Sequence, residues 1–108
     1  MRWPLLRVAV TETSMEPALH PGDWLLTWRG LSADRPPRVR PDQLVVAQHP
    51  GKPDLLLVKR AARQFPDGWW LESDNTAAGM VDSRVFGPVP DHLIVATVIL
   101  RYGPRSRR

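Results

Sequence analysis

Twelve prolines and seven glycines interrupt this chain of 108 residues so often that no long stretch keeps a helical period. Proline removes a backbone donor and glycine loosens a helix, so the intervals between them suit elements that need only a few residues. Those intervals are rich in Val, Leu, Ile and Trp and are bounded by Pro, Gly, Asp or Asn. They predict strands at Leu5–Val10, Trp24–Trp28, Leu44–His49, Leu55–Arg60, Trp69–Ser73 and Leu93–Tyr102. The expected fold class is all-β, with six or so strands curling around one core.

The length suits one domain over 1–108, with room for a single modest core. Leu31–Pro41 carries Pro36, Pro37 and Pro41 among several charges and reads as an exposed loop. His49-Pro50-Gly51-Lys52-Pro53-Asp54 spans a hairpin-sized gap, so the strands on either side should pair antiparallel, with Lys52 solvated in the turn. The basic tail 103–108 is expected to be frayed.

Composition removes several classes of function. The chain has no cysteine, which excludes disulfides, thiolate metal sites and a Cys nucleophile. His20, His49 and His92 lack paired spacing, so neither a metal site nor a cofactor is expected. Arg7 breaks the apolar N-terminus after Leu5-Leu6, leaving neither a signal-peptide core nor a membrane-spanning length. The expectation is a soluble, cytoplasmic protein without a membrane anchor. The net charge of +4 comes mainly from arginine, but no basic stripe is interleaved with stacking aromatics, so nucleic acid is not the expected partner.

Two residues carry potential chemistry. Ser14 stands between the end of a predicted strand near Val10 and the Pro17 to Gly22 turn, where a side chain can project from the edge of a rigid scaffold. It could be a nucleophile, or the N-cap of a short helix. Lys59 ends the run Leu55-Leu56-Leu57-Val58, and strand alternation sends Lys59 and Arg60 to opposite faces, so one of them must leave an apolar face. Both could snorkel outward. Alternatively Lys59 is buried and neutral, a state open to lysine and closed to arginine. Burial of the four preceding apolar side chains, worth about 6 to 12 kcal/mol, would then offset its desolvation. A neutral amine can take the proton of a serine hydroxyl that attacks a carbonyl. A Ser/His/Asp arrangement through His20, His49 or His92 stays open on spacing alone.

The ordered segments Ser14-Met15-Glu16-Pro17-Ala18-Leu19, Pro21-Gly22-Asp23, Val58-Lys59-Arg60, Ser73-Asp74-Asn75 and Asp82-Ser83-Arg84-Val85-Phe86-Gly87-Pro88-Val89-Pro90 resemble the box set of the type I signal peptidase family. The match runs from about Val10 to Tyr102. It implies a coiled antiparallel β-barrel-like scaffold, as in signal peptidases and self-cleaving repressors, and a Ser/Lys endopeptidase. Ser14 would be the nucleophile and Lys59 the general base. Asp82 and Arg84 would form a bracing ion pair, Asp74 and Asn75 would support the site from the adjoining turn, and Met15 and Pro17 would touch substrate. Leu57-Val58-Lys59-Arg60-Ala61-Ala62 and Trp69-Trp70 look most like the branch that matures nickel-type superoxide dismutase. That likeness implies a precursor-protein partner whose N-terminal leader must be removed before its terminal residues can bind nickel. A β-barrel that binds peptide or nucleic acid without catalysis is the alternative.

The chain departs from the family pattern in three places. Glu12 stands where a hydroxyl residue often helps to bind the oxyanion, and a carboxylate there is expected to point away. Ser73 replaces a glycine. The serine that often orients the lysine falls near Met80, so that support is expected to be missing. Asp82 and Arg84 are expected to share one face of an extended, exposed segment, where an ion pair contributes little.

Overall fold

The computed structural model describes residues 1–78 and 81–103, so the expectation for the tail beyond Gly103 lies outside the described residues. The strands are β1 (Leu5–Ala9), β2 (Trp24–Trp28), β3 (Gln43–His49), β4 (Lys52–Phe65), β5 (Gly68–Glu72) and β6 (Ile94–Tyr102). One helical turn, α1 (Ser83–Phe86), lies between β5 and β6, with 3-10 turns at Thr76–Ala78 and Asp91–Leu93. All six strands join one sheet in the order β1-β2-β6-β3-β4-β5, and every pairing is antiparallel. The fold is all-β, and each predicted strand is present.

The largest departure is β4, which is more than twice the predicted length and takes in Lys52, Pro53 and Asp54. The loop between β3 and β4 is only Pro50-Gly51, and Lys52 pairs with His49. Pro53 and Asp54 lie where the register with β3 shifts, so the proline removes no ladder hydrogen bond. At the other end Ala61 to Gln64 have little strand propensity of their own, and they extend because β5 pairs with this part of β4. Gly68 opens β5 at φ +147, and a Cβ there would collide with the Val89 carbonyl, which accepts a hydrogen bond from Trp69 N at 2.9 Å.

Alternation along the strands feeds two buried clusters. Val45, Ala47, Ala61, Trp69, Leu71, Val89 and Ile94 form one. Val10, Met15, Leu19 and Leu25 form the other, with Leu44 and Val58 packed against it. No ladder joins the end strands β1 and β5 among the described residues, but their trailing loops meet. Asn75 N donates to Ser14 O at 2.8 Å and Asn75 Nδ2 donates to Thr13 O at 3.0 Å. Among the described residues two strand edges stay unpaired on the way to that junction: the outer edge of β1, and the edge of β4 ahead of Arg60, beyond the end of β5.

Candidate active site

Ser14 follows β1 in a series of turns rather than at a helix start. Glu16 N donates to Thr13 O at 3.1 Å and Leu19 N donates to Met15 O at 2.9 Å, while Met15 and Leu19 are driven into the core. The two buried side chains anchor the turn and leave Ser14 half-buried at the rim, so Ser14 caps no helix. Its hydroxyl accepts from Lys59 Nζ at 3.0 Å across 45 residues of chain.

Lys59 is 3% exposed. The expected burial of its four apolar predecessors does not hold, because Leu55 and Leu56 are 42% and 49% exposed and only Leu57 is buried. Those two leucines lie on the part of β4 that β5 does not cover. The lysine is enclosed instead by its place in the sheet, between β3 and the segment that follows β5. Burial pushes the Lys59 amine below its usual range, the Asp82 and Glu12 carboxylates oppose that shift, and Arg84 reinforces it. Arg60 leaves the inner face as alternation requires. Its Nε and Nη2 donate to the two Asp74 carboxylate oxygens at 2.9 and 2.7 Å, and Nη1 donates to Asp42 O. The Asp74 hydrogen bond, with the Asp74 and Asp42 charges, holds the guanidinium above its usual range against the cost of burial.

A second hydroxyl completes the surroundings of the amine. Lys59 Nζ donates to Ser73 Oγ at 3.0 Å, so the support expected to be missing is present at another position. Met80, the position that the family pattern gives to that support, lies outside the described residues. Pairing of Arg60 with Glu72 and Ala61 with Leu71 carries forward to place Ser73 opposite Lys59 on the inner face. The sequence signal was the alternation Trp69, Leu71, Ser73, which continues the inward row past the strand end.

Asp82 and Arg84 form an ion pair at 2.8 Å, but on a helical turn rather than an extended segment. Asp82 is fully buried and is the N-cap of α1, accepting from Arg84 N at 3.0 Å. Its other oxygen accepts from Ser73 N at 2.8 Å, while Arg84 Nη2 donates to Ser73 O at 3.2 Å. The pair therefore grips the backbone of Ser73 from both sides. Burial alone would raise the Asp82 carboxyl, but the Arg84 guanidinium and the Ser73 and Arg84 N–H groups together hold it below its usual range.

The remaining expected site residues divide. Met15 lines the groove beside Ser14 and its Sδ accepts from Asp74 N at 3.3 Å. Pro17 is exposed and is not part of the groove. Asp74 meets Arg60, and Asn75 holds the Ser14 loop. Among the three histidines, His20 contacts Glu16, His49 accepts from Gly51 N and stacks edge-on against Phe86, and none bonds to Ser14.

Ser14 and Lys59 lie in a groove of about 420 Å³ between the two unpaired edges, with walls that include Val8, Val10, Leu55, Leu57 and Val81. Glu12 lines the same groove, contrary to the expectation that it turns away. Chemically, the arrangement offers a hydroxyl, an amine that burial holds below its usual range, and a groove walled largely by aliphatic side chains.

No family model matches the chain. It is similar to the mitochondrial inner membrane protease subunit 2 of Saccharomyces cerevisiae, at 27% identity over a 122-residue alignment covering 91% of this chain and 68% of the relative. This distant similarity supports a signal peptidase-like relationship.

Proposed function

We propose that this protein is a serine endopeptidase in which Ser14 is the nucleophile and Lys59 the general base. The observation that carries this reading is the 3.0 Å separation of Lys59 Nζ and Ser14 Oγ, with an amine that burial holds below its usual range. Once deprotonated, the amine has a lone pair, and the same contact lets Ser14 donate its proton to Nζ as Oγ attacks the substrate carbonyl. The ammonium then protonates the leaving amine, and the neutral amine draws a proton from the water that hydrolyses the acyl-enzyme. Ser14 N–H donates to no group among the described residues, and Thr11 lines the groove, so the Ser14 N–H, with the Thr11 hydroxyl as a second candidate donor, would serve the oxyanion. The similarity to a protease subunit supports a peptidase-like function.

The groove suits an extended peptide. A strand laid between β1 and the first half of β4 would meet unpaired backbone groups on both sides, while aliphatic walls receive alternate side chains. The substrate we propose is the N-terminal leader of a nickel-type superoxide dismutase precursor, cut in the cytoplasm so that the new terminus can bind metal. This rests on the likeness of the Lys59 and Trp69-Trp70 segments to that branch of the family. Mass analysis of precursor incubated with the protein tests it. One cut that leaves the metal-binding residues first supports the proposal, and intact precursor or equal cutting by Ser14→Ala would sink it.

A further inference from the structure

We infer that Glu12 selects a basic side chain in the substrate, within about two residues of the bond that is cut. Among the described residues only two charged side chains line the groove, Glu12 and Lys59. Lys59 is buried and its amine contacts the Ser14 and Ser73 hydroxyls. Before attack that amine is neutral, and the ammonium formed on attack is held by the two hydroxyls, which leaves the exposed Glu12 carboxylate open to a further cation. Glu12 is exposed, lines a largely aliphatic groove and makes no hydrogen bond or ion pair among the described residues, so its charge reaches the Lys59 amine only through space.

Such a charge works against catalysis unless the substrate neutralises it. Negative charge develops on the substrate carbonyl close to Ser14, and Glu12 is two residues away along the chain, at most about 7 Å between Cα atoms. A lysine or arginine of the substrate lying over Glu12 pairs with the carboxylate and lifts the repulsion on the oxyanion. An acidic side chain there adds to it. The same charge rejects as well as attracts. The substrate class is therefore an extended segment of small or aliphatic residues carrying one basic residue beside the scissile bond.

This inference rests on the Ser14/Lys59 reading, and the experiment separates the two. An extended peptide that the protein cuts is made as a set with Lys, Gln or Glu scanned through the three positions on each side of the scissile bond. Cleavage is measured with wild type, Glu12→Gln, Glu12→Lys and Ser14→Ala. At one position Lys should be preferred over Glu by at least about tenfold in kcat/KM, a ratio that falls as salt rises. It should drop below about threefold in Glu12→Gln and invert in Glu12→Lys. Equal ratios in wild type and Glu12→Gln, or no charge preference at any position, would overturn the role of Glu12 while leaving the peptidase standing. Cleavage by Ser14→Ala equal to wild type would overturn the peptidase reading and this inference with it.

Discussion

The Ser73 hydroxyl lies 3.0 Å from Lys59 Nζ, the same distance that separates Nζ from the Ser14 hydroxyl. An amine with one acceptor can swing about its last carbon–carbon bond, whereas two acceptors fix its direction. Because Asp82 and Arg84 hold the Ser73 backbone, the ion pair aims the amine through Ser73, while its two charges act on the amine through space in opposite senses.

Ser73→Ala should therefore lower kcat by about 10- to 100-fold with KM nearly unchanged, since loss of aim costs rate more than binding. The acidic limb of the pH–rate profile should move to lower pH, because the ammonium loses an acceptor. Ser73→Thr keeps the hydroxyl and should recover part of the rate. An unaltered pH profile with reduced thermal stability would mean that Ser73 is only structural.

Lys59→Arg keeps a positive charge but cannot supply a neutral amine. Its activity should fall by at least about a thousandfold, to the level of Ser14→Ala. Lys59→Met, close in shape and free of charge, serves as the folded control. Turnover by Lys59→Arg within tenfold of wild type would remove the lysine from the mechanism.

The buried lysine should also leave a mark on stability. Its folded pKa is depressed, so between that value and the unfolded value of about 10.4 the unfolded chain binds the extra proton. Stability should then rise with pH across this window and level off above it. Below the folded pKa the Lys59 contribution is constant. Denaturant titrations at several alkaline pH values should show the rise in wild type and a flatter line in Lys59→Met. Parallel lines would contradict the burial.

Asp82 behaves in the opposite sense. Its folded pKa lies below the unfolded value of about 3.9, so its stabilising contribution is complete above about pH 4 and is lost as pH falls through the folded pKa. Asp82→Asn should cost about 2 to 3 kcal/mol at neutral pH, because the charged contacts to Arg84 and Ser73 N weaken together. The acid dependence should shrink in the variant. Unchanged urea midpoints in Asp82→Asn would refute this.

The sequence by itself determined the strands, because Pro and Gly punctuation and β-branched intervals are local properties. It also supplied Ser14 and Lys59 as a pair worth bringing together, since only a lysine can be buried neutral at the end of an apolar strand. What it could not supply was anything that depends on register. Pro53 reads from sequence as part of the turn, but the shift beside His49 gives it a place in β4 without a ladder bond. Leu55 and Leu56 looked buried, and are exposed because β5 stops short of them. Asp82 and Arg84 looked extended, but the Asp82 side chain caps a helical turn and is held there by Ser73 N, a partner from the far side of the β5 end. Ser73 looked like a departure from pattern. Tertiary structure made it the partner of Lys59, because cross-strand neighbours are chosen by pairing across the β4–β5 turn, and no local preference encodes which hydroxyl will stand opposite a given amine.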